Sequence, residues 1–266
     1  MRRLLAVLNH VETAPAVLAA AALAAQRLPG AAIEALNVRL ADDPSFMPTE
    51  EIMTPARRAH FATAQAALSA ALHQVFAAWP GAAGATWREE SGLPPEVIAR
   101  AGSTVDLIVI GRPAHFAPGD GAAAIDAALF AASAPVLLVP PAVPASLGRH
   151  IAIAWKPSDT AERAIVAATP LLRAAERVTV LLTEGRGRSV PEVLVQALGG
   201  GRAPATFGFA LDGEPIGAAL LGAAHAVGAD LLLMGAYAHR RAVEMFLGGA
   251  TRAMLAGGDL PVFMHH

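Results

Sequence analysis

The sequence predicts an α/β protein made of two tandem copies of one domain, each a mostly parallel five-stranded sheet flanked by helices. Three observations predict it: short apolar runs without polar alternation, helical stretches between those runs, and a repetition of the pattern along the 266 residues. An unalternated run such as Leu107-Ile108-Val109-Ile110 is a strand buried on both faces. Strands that alternate with helices assemble into a doubly wound parallel sheet. The repetition rests on matched segments. Arg3-Leu4-Leu5-Ala6-Val7-Leu8-Asn9 matches His150-Ile151-Ala152-Ile153-Ala154-Trp155-Lys156. Asp106-Leu107-Ile108-Val109-Ile110-Gly111 matches Asp230-Leu231-Leu232-Leu233-Met234-Gly235, and Ala134-Pro135-Val136-Leu137-Leu138-Val139 matches Leu260-Pro261-Val262-Phe263-Met264-His265. Self-similarity at this scale constrains the fold more than any single segment does.

The elements follow in order. The first match is displaced by 147 residues and the second by 124, so the first copy carries 23 more residues between its first strand and Asp106. These are placed at about 42–80, where a loop from Asp43-Pro44 to Thr54-Pro55 precedes a long helical run. The proline-rich stretch Pro140-Pro141-Ala142-Val143-Pro144 has no helix potential and separates the copies. The domains are therefore set at 1–141 and 148–266, with a linker at about 142–147. In the second copy, strands are expected at His150–Trp155, Arg177–Thr183, Ala205–Leu211, Asp230–Met234 and Pro261–His265. Helices are expected at Thr160–Ala175 (with Ser158 or Asp159 as N-cap), Pro191–Leu198, Glu214–Val227 and Ala250–Ala256.

Composition removes several classes of function. Hydrophobic residues are 55% of the chain and mean hydropathy is +0.47, mostly through alanine. The longest apolar stretch, Ala14 to Gln26, falls short of the roughly 20 residues a membrane span needs. The basic start Met1-Arg2-Arg3 imitates a signal peptide, but Asn9-His10-Val11-Glu12 interrupts the apolar run and the same pattern recurs mid-chain. With no cysteine, disulfides, thiolate nucleophiles and cysteine-ligated metals are excluded. Net charge is −2 and no basic tract tracks nucleic acid. Histidines at metal-ligand spacing, a G-x-S-x-G elbow, a G-x4-G-K-[S/T] loop and a G-x-G-x-x-G turn after a first strand are all lacking.

In an open parallel sheet the ligand site lies beyond the carboxyl ends of the strands, where the strand order reverses. Two loops are expected there. One is Trp155-Lys156-Pro157-Ser158. The other begins Gly235-Ala236-Tyr237-Ala238-His239 and ends at Leu247-Gly248-Gly249-Ala250-Thr251-Arg252 as a helix opens. Glycines at a helix start leave N–H groups free, and the dipole favours an anion. Lys156, the only lysine, is a candidate anion contact or a solvated loop residue.

The run Asp230–Arg252 resembles the nucleotide loop of the universal stress protein family, G-x2-G-x9-G-[S/T]. Gly235 fills the first glycine and Gly248 the third. Ala238 stands where the second is usual, Gly249 where Ser or Thr is usual, and Thr251 follows as in the family's G-G-x-T-R variant. With the duplication, the resemblance covers nearly the whole chain. It implies two Rossmann-like, adenine nucleotide alpha hydrolase-like domains. It also implies a second domain that binds ATP or a related adenine nucleotide, with Mg2+ as an optional companion and no protein-bound metal. The implied contacts are Trp155, Lys156, Met234, Gly235, His239, Gly248, Gly249, Ala250 and Thr251. Where the family commonly has Asp at the end of the first strand, this chain has Lys156, and Asn9 in the first copy. The first copy lacks the G-G-x-T element and puts Asp120 where phosphate would sit, so it reads as a degenerate copy serving structure.

The resemblance further implies that the last strands, Val136–Val139 and Val262–His265, pair across a domain or subunit interface. One chain would then imitate a homodimer, and a further dimer of chains is compatible. The expected role is a cytoplasmic stress-response or regulatory nucleotide-binding protein with no nameable catalytic base. The alternative is a scaffold or interaction protein with a vestigial site, and slow ATP hydrolysis is the least favoured reading. No nucleic-acid or membrane partner is expected, and no protein partner can be named.

Overall fold

The structure, a computed structural model, describes residues 2–41, 43, 54–114, 122–183, 190–199, 201–236 and 249–266. The first half runs β1 (Arg3–Val7), α1 (Ala14–Arg27), β2 (Ala32–Leu40), α2 (Pro55–Ala78), β3 (Ala85–Gly92), α3 (Pro94–Gly102), β4 (Leu107–Gly111), α4 (Ala122–Asp126), a π-helical turn (Ala127–Ala131) and β5 (Val136–Val139). The second runs β6 (His150–Ala154), α5 (Asp159–Ala174), β7 (Arg177–Thr183), α6 (Glu192–Leu198), β8 (Ala205–Phe209), α7 (Ile216–Ala226), β9 (Leu231–Gly235), α8 (Gly249–Ala256) and β10 (Val262–His265). The α/β class and the tandem organisation are as the sequence predicts. The long helical run of the first half is α2, with 24 residues against 7 for α6, its counterpart after the second strand. Thr54 starts α2 by accepting a hydrogen bond from Arg57 N, and Pro55 sits at its first position, where no N–H is needed.

The strands form one ten-stranded sheet in the order β3-β2-β1-β4-β5-β10-β9-β6-β7-β8. Neighbours are parallel within each half. At the centre β5 and β10 pair antiparallel, with Leu138 opposite Val262, Leu137 opposite Phe263 and Val136 opposite Met264. The two five-stranded sheets are thus continuous, and the carboxyl ends of their strands point to opposite edges.

Both faces are covered, which is why the strands carry no polar alternation. On one face α1, α2, α5 and α6 bury Leu4, Val17, Leu72, Ile151, Leu194 and Phe263. On the other α3, the π-helical turn, α7 and α8 bury Leu5, Ile98, Ile108, Leu220, Leu232 and Met264. Along β10 the side chains alternate, with Phe263 in the first cluster and Val262 and Met264 in the second. Burying one such side chain contributes about 1.5–3 kcal/mol.

The repeated aspartates have a structural role. Asp106 Oδ2 accepts a hydrogen bond from Arg3 N at 2.8 Å, while Asp230 accepts from His150 N and Arg149 N at 3.0 and 3.1 Å. Each clamps the start of its half's fourth strand to the start of its first. Beside the second clamp His150 is 7% exposed. Its Nδ1 lies 2.7 Å from Arg177 Nη2 and its Nε2 2.8 Å from Thr179 Oγ1. Nδ1 also lies 3.2 Å from Gly228 O, so a guanidinium that only donates and a carbonyl that only accepts both face this nitrogen.

Burial first, then the Arg177 charge, hold His150 below its ordinary value of 6.5. Burial likewise lowers His265, with the charges of His266 and Arg163 adding to it. Both groups bind a proton more readily unfolded than folded. Their contribution to stability is therefore complete above the unfolded value and is lost as pH falls below it. The melting temperature is expected to be flat above about pH 7 and to fall from about pH 6.5 to pH 5. In His150→Gln the fall should be shallower. A thermal scan across pH checks this, and equal slopes in parent and variant would remove His150 from the account.

Candidate functional site at the strand-order reversal

The sheet order sets β1 beside β4 and β6 beside β9, so each half has a crevice where strand order reverses. In the second half, Trp155-Lys156-Pro157-Ser158 leaves β6 and turns into α5. Ser158 is the N-cap rather than Asp159, because its Oγ accepts from Ala161 N at 3.3 Å. A Cβ on Gly235, at the end of β9, would lie 2.7 Å from Ala161 N and 2.8 Å from Thr160 C. The missing side chain is what lets the first turn of α5 press onto the strand end. The first half repeats the device, since a Cβ on Gly111 would collide with Thr13, just before α1. The glycine found in both copies thus packs a helix start against the crevice.

The start of α8 reaches the same edge. Its first residue, Gly249, packs against Ile216, the first residue of α7, and a Cβ on Gly249 would sit 3.1 Å from Ile216 Cγ2. This contact gives a steric reason for glycine where the related motif carries Ser or Thr. One turn further, a Cβ on Gly217 would collide with Ala253 Cβ, so α7 and α8 pack closely.

The expected contact residues divide into several groups. Thr251 is 1% exposed and its Oγ1 has no hydrogen-bond partner among the described residues. Ala250 is half-buried beside it, and Gly249 is exposed. Trp155 is half-buried against the α1/α5 face of the core, and its N–H reaches Leu181 O at 3.4 Å. Lys156 is exposed and makes no side-chain hydrogen bond or ion pair among the described residues. Met234 is a core residue, 5% exposed on the α7/α8 face. Gly235, Gly249 and Thr251 therefore share one edge. His239 and Gly248, with Ala238, Arg240 and Arg241, lie outside the described residues.

The crevice of the first half holds residues that sequence reasoning passed over. Arg112 follows Gly111 where Ala236 follows Gly235, and it is 5% exposed. Its guanidinium donates to Gly258 O of the second half, and burial pulls its pKa down. Among the described residues Asn9 has both amide atoms buried without a partner, and Asn37 has its Oδ1 so, while its Nδ2 donates to Leu8 O at 3.0 Å. Asp126 of α4 is half-buried, which raises its carboxyl pKa. The sequence signal was present only as alignment, Arg112 against Ala236 and Asn9 against Lys156. Nothing in it marked burial. His115 and Asp120 lie outside the described residues.

Two concavities lie along α5 and share Val166 and Ala167. One, of about 380 Å3, runs along α5 past Asp159, Glu162, Arg163 and Val166 to His265 and Val193. His265 pairs with Gly235 in the β9–β10 ladder, and its Nδ1 is buried without a partner among the described residues. The other lies where α1 meets α5. Among the described residues no group of three or more His, Cys, Asp or Glu is placed to hold a metal, and no helix is long and apolar enough to cross a membrane.

No family model matches the chain, and no curated protein matches it. Its structure is similar to that of a universal stress protein from Archaeoglobus fulgidus DSM 4304, with a TM-score of 0.67 and 16% identity over 99% of this chain and 95% of that one. It is also similar to a functionally unknown protein from Pseudomonas aeruginosa PAO1, with a TM-score of 0.59 and 16% identity over 100% of this chain and 92% of that one. The chain therefore has the tandem α/β fold seen in a universal stress protein, over nearly its whole length.

Gly235→Ala should destabilise the protein by about 1–3 kcal/mol, because backbone rather than a flexible side chain occupies the space of the new methyl. Chemical denaturation measures it, and an unchanged midpoint would refute the packing role.

Proposed function

We propose that the chain is a tandem universal stress protein whose second half binds ATP or a related adenine nucleotide at the carboxyl edge of its strands, where α5 and α8 start, as a regulator rather than a catalyst. One observation supports this above the others. Thr251 holds a hydroxyl near the start of α8 that is buried and has no hydrogen-bond partner among the described residues. A buried unsatisfied hydroxyl costs about 1–3 kcal/mol. An acceptor oxygen entering from the crevice would remove that cost, and a phosphate oxygen suits a helix N-terminus. Fold similarity to a universal stress protein agrees with this reading without naming a ligand.

A second reading is a scaffold or interaction protein with a vestigial site. It is favoured by Met234 lying in the core and by Lys156 facing solvent without a partner among the described residues. Slow ATP hydrolysis is the weakest reading: Asp159 opens α5 and His265 pairs with Gly235, but neither makes a side-chain hydrogen bond among the described residues that would orient it as a general base.

Denaturing the purified protein and identifying released small molecules by mass spectrometry, then titrating ATP by calorimetry, separates the first two readings. Thr251→Val should leave the free protein as stable or up to about 1 kcal/mol more stable. It should also weaken ATP binding about tenfold. ATP binding that is indifferent to Thr251→Val removes the site from α8. No released nucleotide and no heat leave the scaffold reading.

A further inference from the structure

We propose that the cleft between α1 and α5, where the two halves meet, is a second binding site, one that takes a phosphorylated small molecule with an apolar body. The cleft has a volume of about 740 Å3 and draws on both halves. Arg2 and Arg27 come from the first half and Arg173 from the second, over a wall that includes Pro29, Val166 and Pro170. None of the described residues lining it is an Asp or a Glu. The lining itself thus carries three guanidiniums and no acid, while Asp159 and Glu162 line the adjoining concavity that shares Val166 and Ala167.

An ordinary structural role accounts for part of this. Arg27 Nη1 donates to Ala174 O and Arg173 Nε to Ala197 O, each at 2.8 Å. Cations commonly sit at helix C-termini. Each of these bonds uses one of the five N–H donors of a guanidinium, so most of the donors remain for the cleft. Arg2 makes no side-chain hydrogen bond or ion pair among the described residues. The carboxylate that feels Arg27, Glu176, is held by Arg149 in two bonds of 2.9 and 3.0 Å. It therefore serves Arg149 and does not fill the cleft.

The apolar wall selects the rest of the ligand. Val166 is 59% exposed, an apolar side chain left open on the surface of α5. A guanidinium fork matches phosphate oxygens in bidentate fashion. A bare phosphate would leave the wall wet, and a neutral apolar molecule would leave three cations unused. An ester that joins the two uses both surfaces. Because α1 and α5 belong to different halves, such a ligand would also brace the junction. This site does not rest on nucleotide binding at α8.

Calorimetric titration of the full chain with 1-naphthyl phosphate, 1-naphthol and inorganic phosphate tests the proposal. The ester should bind about tenfold or more tightly than either part, and less tightly as salt rises. Arg2→Gln/Arg173→Gln should weaken it about tenfold. The charge-matched control Arg58→Gln/Arg100→Gln, on α2 and α3 and outside the lining, should bind as the parent does. Since Arg173 also bonds Ala197 O, a second variant, Arg2→Gln/Val166→Glu, keeps both helix-end bonds and should abolish binding. Circular dichroism verifies folding throughout. Absence of ester binding, affinity no better than that of inorganic phosphate, or equal losses in cleft and control variants would each overturn the proposal.

Discussion

Three cross-strand pairs at the centre of the sheet, between β5 and β10, govern the rest of the architecture. Each of these strands is apolar and buried, and each would otherwise be an edge offering unpaired N–H and C=O groups. Pairing them antiparallel reverses chain sense once, so the two halves face opposite edges and their crevices are far from symmetric neighbours. It also brings α1 and α5 together on one face, which creates the cleft between them. The Arg112 guanidinium crossing to Gly258 O is a second tie over the same junction. Such a crossing is available only because the start of β10 lies beside the ends of β4 and β5.

Much of this was legible in the residues. Apolar runs buried on both faces, the Asp-headed repeat and the uneven spacing of its matches lead to the tandem sheet and to the long helix of the first half. These features are local or periodic, and burial on both faces leaves little freedom in reading them. The ends of elements were less legible. β8 stops at Phe209, short of Leu211, and α7 starts at Ile216 rather than Glu214, because turn geometry at Asp212-Gly213, both at positive φ, decides those ends. Of the candidate site, the glycines and Thr251 were visible as a motif. Their physical reasons were not visible, because those reasons lie in distant partners: Thr160 and Ala161 against Gly235, and Ile216 against Gly249. The burial of Met234 and the reach of Arg112 likewise depend on packing that no single segment encodes.

The two halves have used equivalent positions differently. After the fourth strand the second half keeps a small residue, Ala236, while the first half places a buried arginine that reaches its neighbour. At the end of the first strand one half has an exposed lysine and the other an asparagine with both amide atoms buried and, among the described residues, unpartnered. The clamp by Asp106 or Asp230 and the glycine at the helix start are the same in both. What sets the backbone of the crevice is thus retained twice, and what sets its chemistry has diverged.

The central pairing also bears on how the chain acquires its shape. Residues joined across β5 and β10 are more than 120 positions apart, whereas the other strand pairs lie within one half. Contacts so distant in sequence form late, because loop-closure entropy must be overcome before they contribute. Each half can therefore condense by itself while its last strand waits as an open apolar edge. During that interval the edge of one molecule is as good a template for another molecule as for its own second half. Exchange between copies and faithful closure then compete, and protein concentration during refolding decides between them.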